Sequence, residues 1–366
     1  MGARISRASA TNNGTRDYDA LDSCIWRLRG SRRRPNQEEA VYEDAMKNLV
    51  GALEGFKSVD EIDLRDLTIA DCCLRSLVAG TASEARLAYR AIGLLALTVG
   101  ARPNKYYFDA VFGAALAVAR NTMHESSDTA TLVAALQCIA AVTFAGARRP
   151  EDTHECMKAV MAVFNPRLAP DLSETGQSWT VSPEIVDAAV TTWTLLLSTL
   201  IGLNTCPYEW EETTIPPHHL AEILESDDLS VRTAAGVVLA MWAELILTRH
   251  ASPKNMQEPD DRVPNLAADM KHGQCPNLEE TSTWARLVQL SFLKRFLGEG
   301  FDKHVLHNPL VREVATVTDD EADELGCDST DGKVHHQWHY RGKVVGAIES
   351  CVQWVTEIAR LANCLR

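Results

Sequence analysis

One pattern of residues occurs at two places in this chain. Two leucine-like side chains lie twelve and nine residues before an arginine, and an alanine follows the arginine by two residues. The two copies consist of Leu74, Leu77, Arg86 and Ala88, and of Leu220, Ile223, Arg232 and Ala234. Apolar residues around each arginine recur every three or four positions, which is typical of α-helices. The pattern therefore predicts a helix–turn–helix unit that is repeated along the chain.

Two looser copies of this unit lie between them, in residues 108–146 and in residues 155–204. Almost no stretch of the chain alternates with a period of two, so the sequence contains no clear signal for β-strands. One such helix pair cannot bury its apolar face alone, and stacking on a neighbour is the stable solution. The sequence predicts an all-α fold, an armadillo/HEAT-like helical-repeat superhelix with a small helical C-terminal module.

Composition changes along the chain suggest five segments. Residues 1–36 contain eight arginines and three aspartates, and we expect a basic, disordered arm. Residues 37–250 are predicted to form the array, and residues 251–280, rich in Pro, Asn and charge, a linker. We expect the C-terminal module in residues 281–316, followed in residues 317–366 by an acidic loop and a terminal amphipathic helix.

The net charge of −14 is unevenly distributed, because the arm is basic and the rest of the chain is acidic. This distribution argues against nonspecific nucleic-acid binding by the array, and it favours the arm for an RNA contact or for nuclear import. The alternative is that the arm is simply a solvated charged segment. The candidate residues in the arm are Arg27, Arg29, Arg32, Arg33 and Arg34.

The cysteines and the apolar stretches bear on the compartment. The ten cysteines include no CxxC pair, and the chain begins with a polar segment, which together favour reduced thiols in the nucleus and cytoplasm. The longest uncharged stretches, residues 188–208 and 129–147, are interpreted as buried helices. We therefore expect no stable membrane insertion.

Three stretches, in this order, resemble the interferon-related developmental regulator family. They are residues 67–101, 218–245 and 283–314, and the likeness covers roughly residues 40–315. The resemblance implies an armadillo-like helical domain followed by a characteristic C-terminal module. Members of that family are described as non-enzymatic transcriptional co-regulators that bind other proteins, and some as ribosome-associated repressors of translation. Where the family has a basic tail, this chain ends in an apolar sequence.

On this basis we expect a non-enzymatic regulatory scaffold that binds proteins through its helical-repeat surface, as a transcriptional co-regulator. The first alternative is a ribosome-associated translational regulator, and the second is a metal-dependent enzyme. The sequence contains no Walker-type phosphate loop, no GxSxG elbow and no HExxH helix. No cofactor is expected.

The candidate residues for partner contacts lie in the array and in the module. Arg86 and Arg232 are expected to bond carbonyl or carboxylate groups of a neighbouring repeat, which is a structural role. Alternatively, they line a concave groove and meet acidic groups of a partner. In the module, His304, His307 and Asn308 are further candidates.

A metal site is the sharpest chemical alternative. Its candidate ligands are His335, His336 and His339, with Cys327 upstream. Zinc needs three or four convergent ligands, and no second matching pair follows these residues. A solvated polar segment is the ordinary interpretation of these residues, so no metal site is expected.

Overall fold

The chain has an all-α fold with repeated helix pairs. The computed structural model describes residues 15–30, 38–62, 65–100, 113–114, 116–122, 128–147, 149–164, 181–202, 215, 217–250 and 283–315. These residues are helical apart from turns, and they contain no strand. The fold class predicted from the period of the apolar residues is therefore confirmed.

The helices named here, in addition to the helical residues 113–114 and 116–122, follow chain order. They are α1 (Thr15–Gly30), α2 (Glu38–Glu54), α3 (Val59–Ile62), α4 (Asp66–Ala79), α5 (Ala82–Val99), α6 (Thr129–Gly146), α7 (Pro150–Phe164), α8 (Pro183–Gly202), α9 (Pro217–Leu224), α10 (Leu229–His250), α11 (Thr283–Leu297), α12 (Phe301–His307) and α13 (Pro309–Ala315). A 3₁₀ turn, Gly298–Gly300, joins α11 to α12.

Five of these helices, α2, α5, α6, α8 and α10, form a ladder in which each packs on the next, and we call them the inner helices. Partner helices pack on their flanks: α1 on α2, α4 on α5, α7 on α8 and α9 on α10. The two copies of the sequence pattern are the pairs α4–α5 and α9–α10. The alanine of each copy is buried, with Ala88 0% and Ala234 8% exposed, so a small side chain permits close helix packing.

α6 lies in the centre of the ladder. By length and composition it is the one helix of the described residues that could cross a membrane. It packs between α5 and α8, and Ala135, Leu136 and Ile139 are fully buried there. Thr192 of α8 also donates its hydroxyl to the carbonyl of Leu136 at 3.4 Å. In this fold α6 is a core helix, as the sequence predicts.

Part of the expected disordered arm is folded, so that expectation is wrong for residues 15–30. They form α1, which packs on α2 and α4. Leu21, Ile25 and Leu28 recur at helical spacing and are buried, and each such side chain contributes about 1.5–3 kcal/mol when removed from water. The Arg65 guanidinium also donates two hydrogen bonds to the Asp22 carboxylate, at 2.5 and 2.8 Å. The arginine-rich composition concealed this amphipathic helix.

The C-terminal module, α11 to α13, folds back onto the inner helices. α11 packs on α8 and α10, the 3₁₀ turn on α2, and α13 on α5. Phe296 at the end of α11 reaches Gly93 of α5, where an added Cβ would lie 2.6 Å from the Phe296 ring and 3.2 Å from the Cβ of Ala141. Gly300 lies so close to the carbonyl of Glu54 that no side chain fits there. Glycines therefore set how closely the module approaches the ladder.

The variant Gly93→Ala tests the close packing of α11 on α5. Because the new methyl group overlaps the buried Phe296 ring, we expect the free energy of unfolding to fall by about 1–3 kcal/mol, measured by urea denaturation. Gly51→Ala is the matched control, since an added Cβ meets nothing within 4 Å there, and it should raise stability by about 0.5–1 kcal/mol. In a Phe296→Leu background the cost of Gly93→Ala should shrink; an equal cost in both backgrounds would contradict the contact.

Candidate functional site

Two buried polar side chains of the module, His304 and Asn308, form a closed hydrogen-bond network with the array. His304 Nε2 donates to the carbonyl of Leu53 at 3.2 Å. Asn308 Nδ2 donates to the carbonyl of Leu97 at 3.1 Å and to His304 Nδ1 at 3.2 Å. Asn308 Oδ1 accepts from the backbone N–H of Leu310 at 3.0 Å. The set is consistent with a neutral His304 that carries its proton on Nε2.

This network satisfies backbone groups that a helix cannot satisfy by itself. Leu53 lies in the last turn of α2 and Leu97 in the last turn of α5, where carbonyls lack the usual partner within the helix; the Leu53 carbonyl also accepts from the Phe56 N–H at 3.2 Å. His304 and Asn308 are 0% and 1% exposed, so an unpaired polar atom here would carry the full cost of desolvation. We call the two side chains the clamp, because they hold α2 and α5 to the module.

A strained residue of the array lies against the clamp. Phe56 follows α2 with a φ of 61°, a left-handed conformation that aromatic residues seldom adopt. Its ring packs edge-to-face on the His304 ring, with centroids 5.2 Å apart, and stacks on the His307 ring at 5.7 Å. These two ring contacts stabilise an otherwise unfavourable backbone.

α11 is anchored to α8 by polar contacts. Gln289 donates its side-chain amide to the hydroxyl of Ser198 at 3.2 Å. Arg295 lies 3.9 Å from the carboxylate of Asp187. Burial raises the pKa of Asp187, and the charge of Arg295 counteracts part of that rise. The module is therefore bound along the ladder, from α2 to α10.

A pocket opens where α2, α5, α6 and α11 meet, with a volume of about 250 Å³, and we call it the inner-face pocket. Its polar lining includes three cations. The residues that line it are Lys47, Ser83, Arg86, Leu87, Arg90, Ala134, Gln137 and Phe296. These three cations stand on a protein whose net charge is −14.

Each cation of the pocket bonds a carboxylate outside the lining, and the charge of Arg86 also acts on Glu43, the partner of Lys47. Arg86 Nη1 bonds Asp128 Oδ2 at 3.2 Å, and Lys47 Nζ bonds Glu43 Oε1 at 2.9 Å. Hydrogen bonds from Lys47, and then from Ser83, lower the pKa of Glu43.

Arg90 makes a similar contact deeper in the pocket. Its Nε bonds Glu54 Oε1 at 2.7 Å, and its guanidinium carbon lies 5.1 Å from the centroid of the Phe296 ring. This cation–π contact joins α5 to the module. Arg90 therefore fixes the position of the aromatic wall.

The two repeat arginines contact different groups. Arg86 bonds the aspartate that caps α6, which is the contact with a neighbouring repeat that a structural role requires. Arg232 bonds the carbonyl of Ser226 at 2.6 Å, in the turn of its own helix pair. Arg86 also lines the inner-face pocket, so its side chain is 40% exposed and accessible to a partner.

The other predicted residues lie in three kinds of place. His304 and Asn308 are buried in the clamp, so they are structural, and the expectation that they contact a partner directly is corrected. His307 is exposed and stacks on Phe56. Arg27 and Arg29 are exposed in the last turn of α1. The remaining candidates, which lie outside the described residues, are Arg32, Arg33, Arg34, Cys327, His335, His336 and His339.

The sequence pattern did not single out Lys47, Arg90 or Phe296. Arg90 follows Arg86 by one helical turn, which places both cations on one face of α5. This spacing could have predicted that Arg90 lies near Arg86 in the pocket. Lys47 and Phe296 reach the pocket from helices far away in the chain. No local sequence pattern indicates that they meet.

The described residues offer little for metal binding or nucleophilic catalysis. No group of three or more His, Cys, Asp or Glu side chains among them could hold a metal ion. Cys73 and Cys138 are buried, and burial raises the pKa of both thiols, which keeps them in the unreactive protonated form.

Comparison with known proteins agrees with this architecture. The sequence profile of the interferon-related developmental regulator family matches residues 7–286. A mouse protein, "Interferon-related developmental regulator 2", is 22% identical over 358 residues, which cover 84% of this chain and 78% of the relative. No solved structure matches the chain significantly.

The fold and the inner face define an all-α helical-repeat protein with a C-terminal module docked on its ladder. The chain belongs to the interferon-related developmental regulator family, since the profile matches well over half of it. The match begins within residues 1–36, which agrees with the folded state of α1.

The clamp predicts a pH-dependent stability. Burial lowers the pKa of His304 in the folded protein, although backbone carbonyls of Leu53 and Glu54 oppose that shift. The unfolded chain binds the proton near the ordinary pKa of about 6.5, so the stabilisation is complete above that pH and is lost as the pH falls below it. Protonation would also place an N–H on Nδ1 against the Asn308 amide.

We therefore expect the free energy of unfolding to fall between about pH 7.5 and pH 5.5, and to fall less in His304→Gln. His307→Gln, on the exposed side of the same helix, should keep the wild-type dependence. Urea denaturation at each pH measures this difference. An identical pH dependence in wild type and His304→Gln would contradict the role of His304.

Arg232→Ala tests the structural role of the second repeat arginine. Because it removes the bond to the Ser226 carbonyl, we expect a loss of about 1 kcal/mol in the free energy of unfolding, with partner binding per folded molecule unchanged. Arg75→Ala, in an exposed pair with Asp71, is the control and should have little effect. Unchanged stability with lost binding would instead place Arg232 in an interaction surface.

Proposed function

We propose that this protein is a non-enzymatic regulatory scaffold that binds other proteins through its helical-repeat surface, as a transcriptional co-regulator. The observation that carries the proposal is the docking of the module on the inner helices, with the inner-face pocket open where they meet. Membership of a family of regulators supports the same class of function. Helical-repeat proteins use extended surfaces of this kind to bind partners.

The titratable side chains of the inner face support a binding role. His304 is held in the clamp, and Asp187 faces Arg295. The cations of the inner-face pocket are paired with carboxylates, and Ser83 of the lining hydrogen-bonds Glu43, so these groups are already held in polar contacts. The cations of the inner-face pocket are sufficient to recognise a negatively charged group of a partner.

The basic residues near the N-terminus are proposed to contact nucleic acid or an import receptor, which gives a protein of the nucleus and cytoplasm. α1 belongs to the fold, so such a contact involves its exposed end, at Arg27 and Arg29, together with Arg32, Arg33 and Arg34. The array supplies the protein contact, because its acidic charge repels polyanions.

A ribosome-associated translational regulator is the second candidate. The observation that favours it is the exposed pair Arg27 and Arg29 at the end of α1, next to three further arginines in the sequence. Such a cluster is suited to ribosomal RNA phosphates, and its contribution would weaken steeply with salt. The metal-dependent enzyme gains no support from the described residues.

Sedimentation separates the two candidates. For a co-regulator, we expect proteins to be captured from nuclear extract after RNase treatment, with no ribosome association at low or high salt. Arg32→Glu/Arg33→Glu/Arg34→Glu should reduce nuclear enrichment and leave that capture unchanged, whereas Arg75→Glu should alter neither. Ribosome co-sedimentation at low salt that is lost at high salt and in the triple variant would establish the alternative.

A further inference from the structure

The inner-face pocket combines cationic and apolar walls. Lys47 and Arg86 stand at its accessible side, where their side chains are 56% and 40% exposed. Leu87 and Ala134 contribute apolar surface from α5 and α6, and Phe296 contributes an aromatic ring from the module. A ligand that fits this pocket carries an anionic group beside an apolar one.

Lys47 and Arg86 can exchange their intramolecular carboxylate partners for a carboxylate of a ligand. Among the described residues, Arg86 uses only Nη1 for its bond to Asp128, which leaves the other edge of the guanidinium for a second acceptor. The pair Arg86–Asp128 is solvent-exposed and the pair Lys47–Glu43 is partly exposed, and such pairs contribute little to stability. An incoming carboxylate can therefore join or replace the intramolecular partner at little cost.

The size and the surroundings of the pocket limit the ligand. A volume of about 250 Å³ holds one or two side chains, so the pocket recognises a short motif within a longer partner. The remainder of the array is acidic, which repels a nucleic acid with a charge on every residue. A peptide in which acidic residues alternate with apolar ones carries a charge on about half of its residues and therefore meets less of that repulsion.

We propose that the inner-face pocket binds an acidic–apolar peptide segment of a partner protein. A carboxylate of the peptide lies between Lys47 and Arg86, and an adjacent apolar side chain packs on Leu87 and the ring of Phe296. Alternation of acidic and hydrophobic residues is typical of disordered activation domains, which suits a co-regulator. The inference rests on the proposed protein-binding function and specifies the chemistry of the partner.

The site is composite, because the array supplies the cations and the module supplies the aromatic wall. Arg90 holds that wall in place through its contact with Phe296 and its bond to Glu54. Peptide binding therefore requires that the module be docked. Binding of the peptide should in turn stabilise the docked state.

Fluorescence anisotropy with the full-length protein tests the proposal. The probe is a labelled peptide of about twelve residues in which Asp or Glu alternates with Leu or Phe. Two control peptides replace the acids with amides, or the apolar residues with serine. We expect the probe to bind, both controls to bind at least about tenfold more weakly, and the affinity to fall with added salt.

The variant Lys47→Gln/Arg86→Gln should weaken probe binding by about tenfold or more. Arg75→Gln is the matched control, since it neutralises an arginine in an exposed pair with an aspartate outside the pocket, and it should change the affinity by less than about twofold. Thermal denaturation confirms that each variant is folded. Equal probe affinity in wild type and the double variant overturns the proposal.

Two other results also overturn it. Displacement of the probe by single-stranded RNA that depends on Lys47 and Arg86 would make the pocket a phosphate site. Residues 319–331 contain seven carboxylates and no basic residue. If the wild type does not bind the probe but a variant with those seven acids changed to amides does, the occupant is this segment of the chain.

Failure of this inference is distinguishable from failure of the proposed function. If wild type and Lys47→Gln/Arg86→Gln capture the same proteins from nuclear extract, the scaffold function stands and the pocket assignment falls. If neither captures proteins, the scaffold function itself is wrong.

Discussion

The arrangement of the molecule depends on two buried side chains that join the module to the array. His304 and Asn308 bond the last-turn carbonyls of α2 and α5, and His304 is 251 positions away from Leu53 along the chain. Closing so long a loop costs conformational entropy, which grows only slowly with loop length. The apolar side chains Phe292, Leu293 and Phe296, all buried, offset that cost through about 1.5–3 kcal/mol each. The polar bonds then fix one orientation, because any other leaves buried groups unpaired.

The docked module changes which surface of the inner helices is accessible to a partner. It occupies surface on α5, α8 and α10 that an open array of inner helices would expose. What remains accessible includes the inner-face pocket, whose wall Phe296 belongs to the module and whose cations belong to the array. Under the proposed function, binding at that pocket is coupled to docking of the module through Arg90, which lines the pocket and contacts Phe296.

Local signals in the sequence predicted the parts of the fold that form from neighbouring residues. The period of 3.6 predicted the pairs α4–α5 and α9–α10, and the repeat pattern found Arg86, which does bond the next repeat. Contacts between distant segments gave no such signal, so the clamp and the Arg90–Phe296 contact were missed. The amphipathic spacing of Leu21, Ile25 and Leu28 was visible, but the arginine content of the segment favoured a disordered arm over the helix that forms.

The module is an integral part of the folded array. Hydrogen–deuterium exchange of the full-length protein, followed by mass spectrometry, tests this integration most directly. If the module is docked, the amides of α11 to α13 exchange as slowly as those of α5 and α6, and Asn308→Ala accelerates exchange in the module and at the ends of α2 and α5. Rapid exchange throughout residues 283–315 in the wild type, with α5 and α6 still protected, would contradict the account.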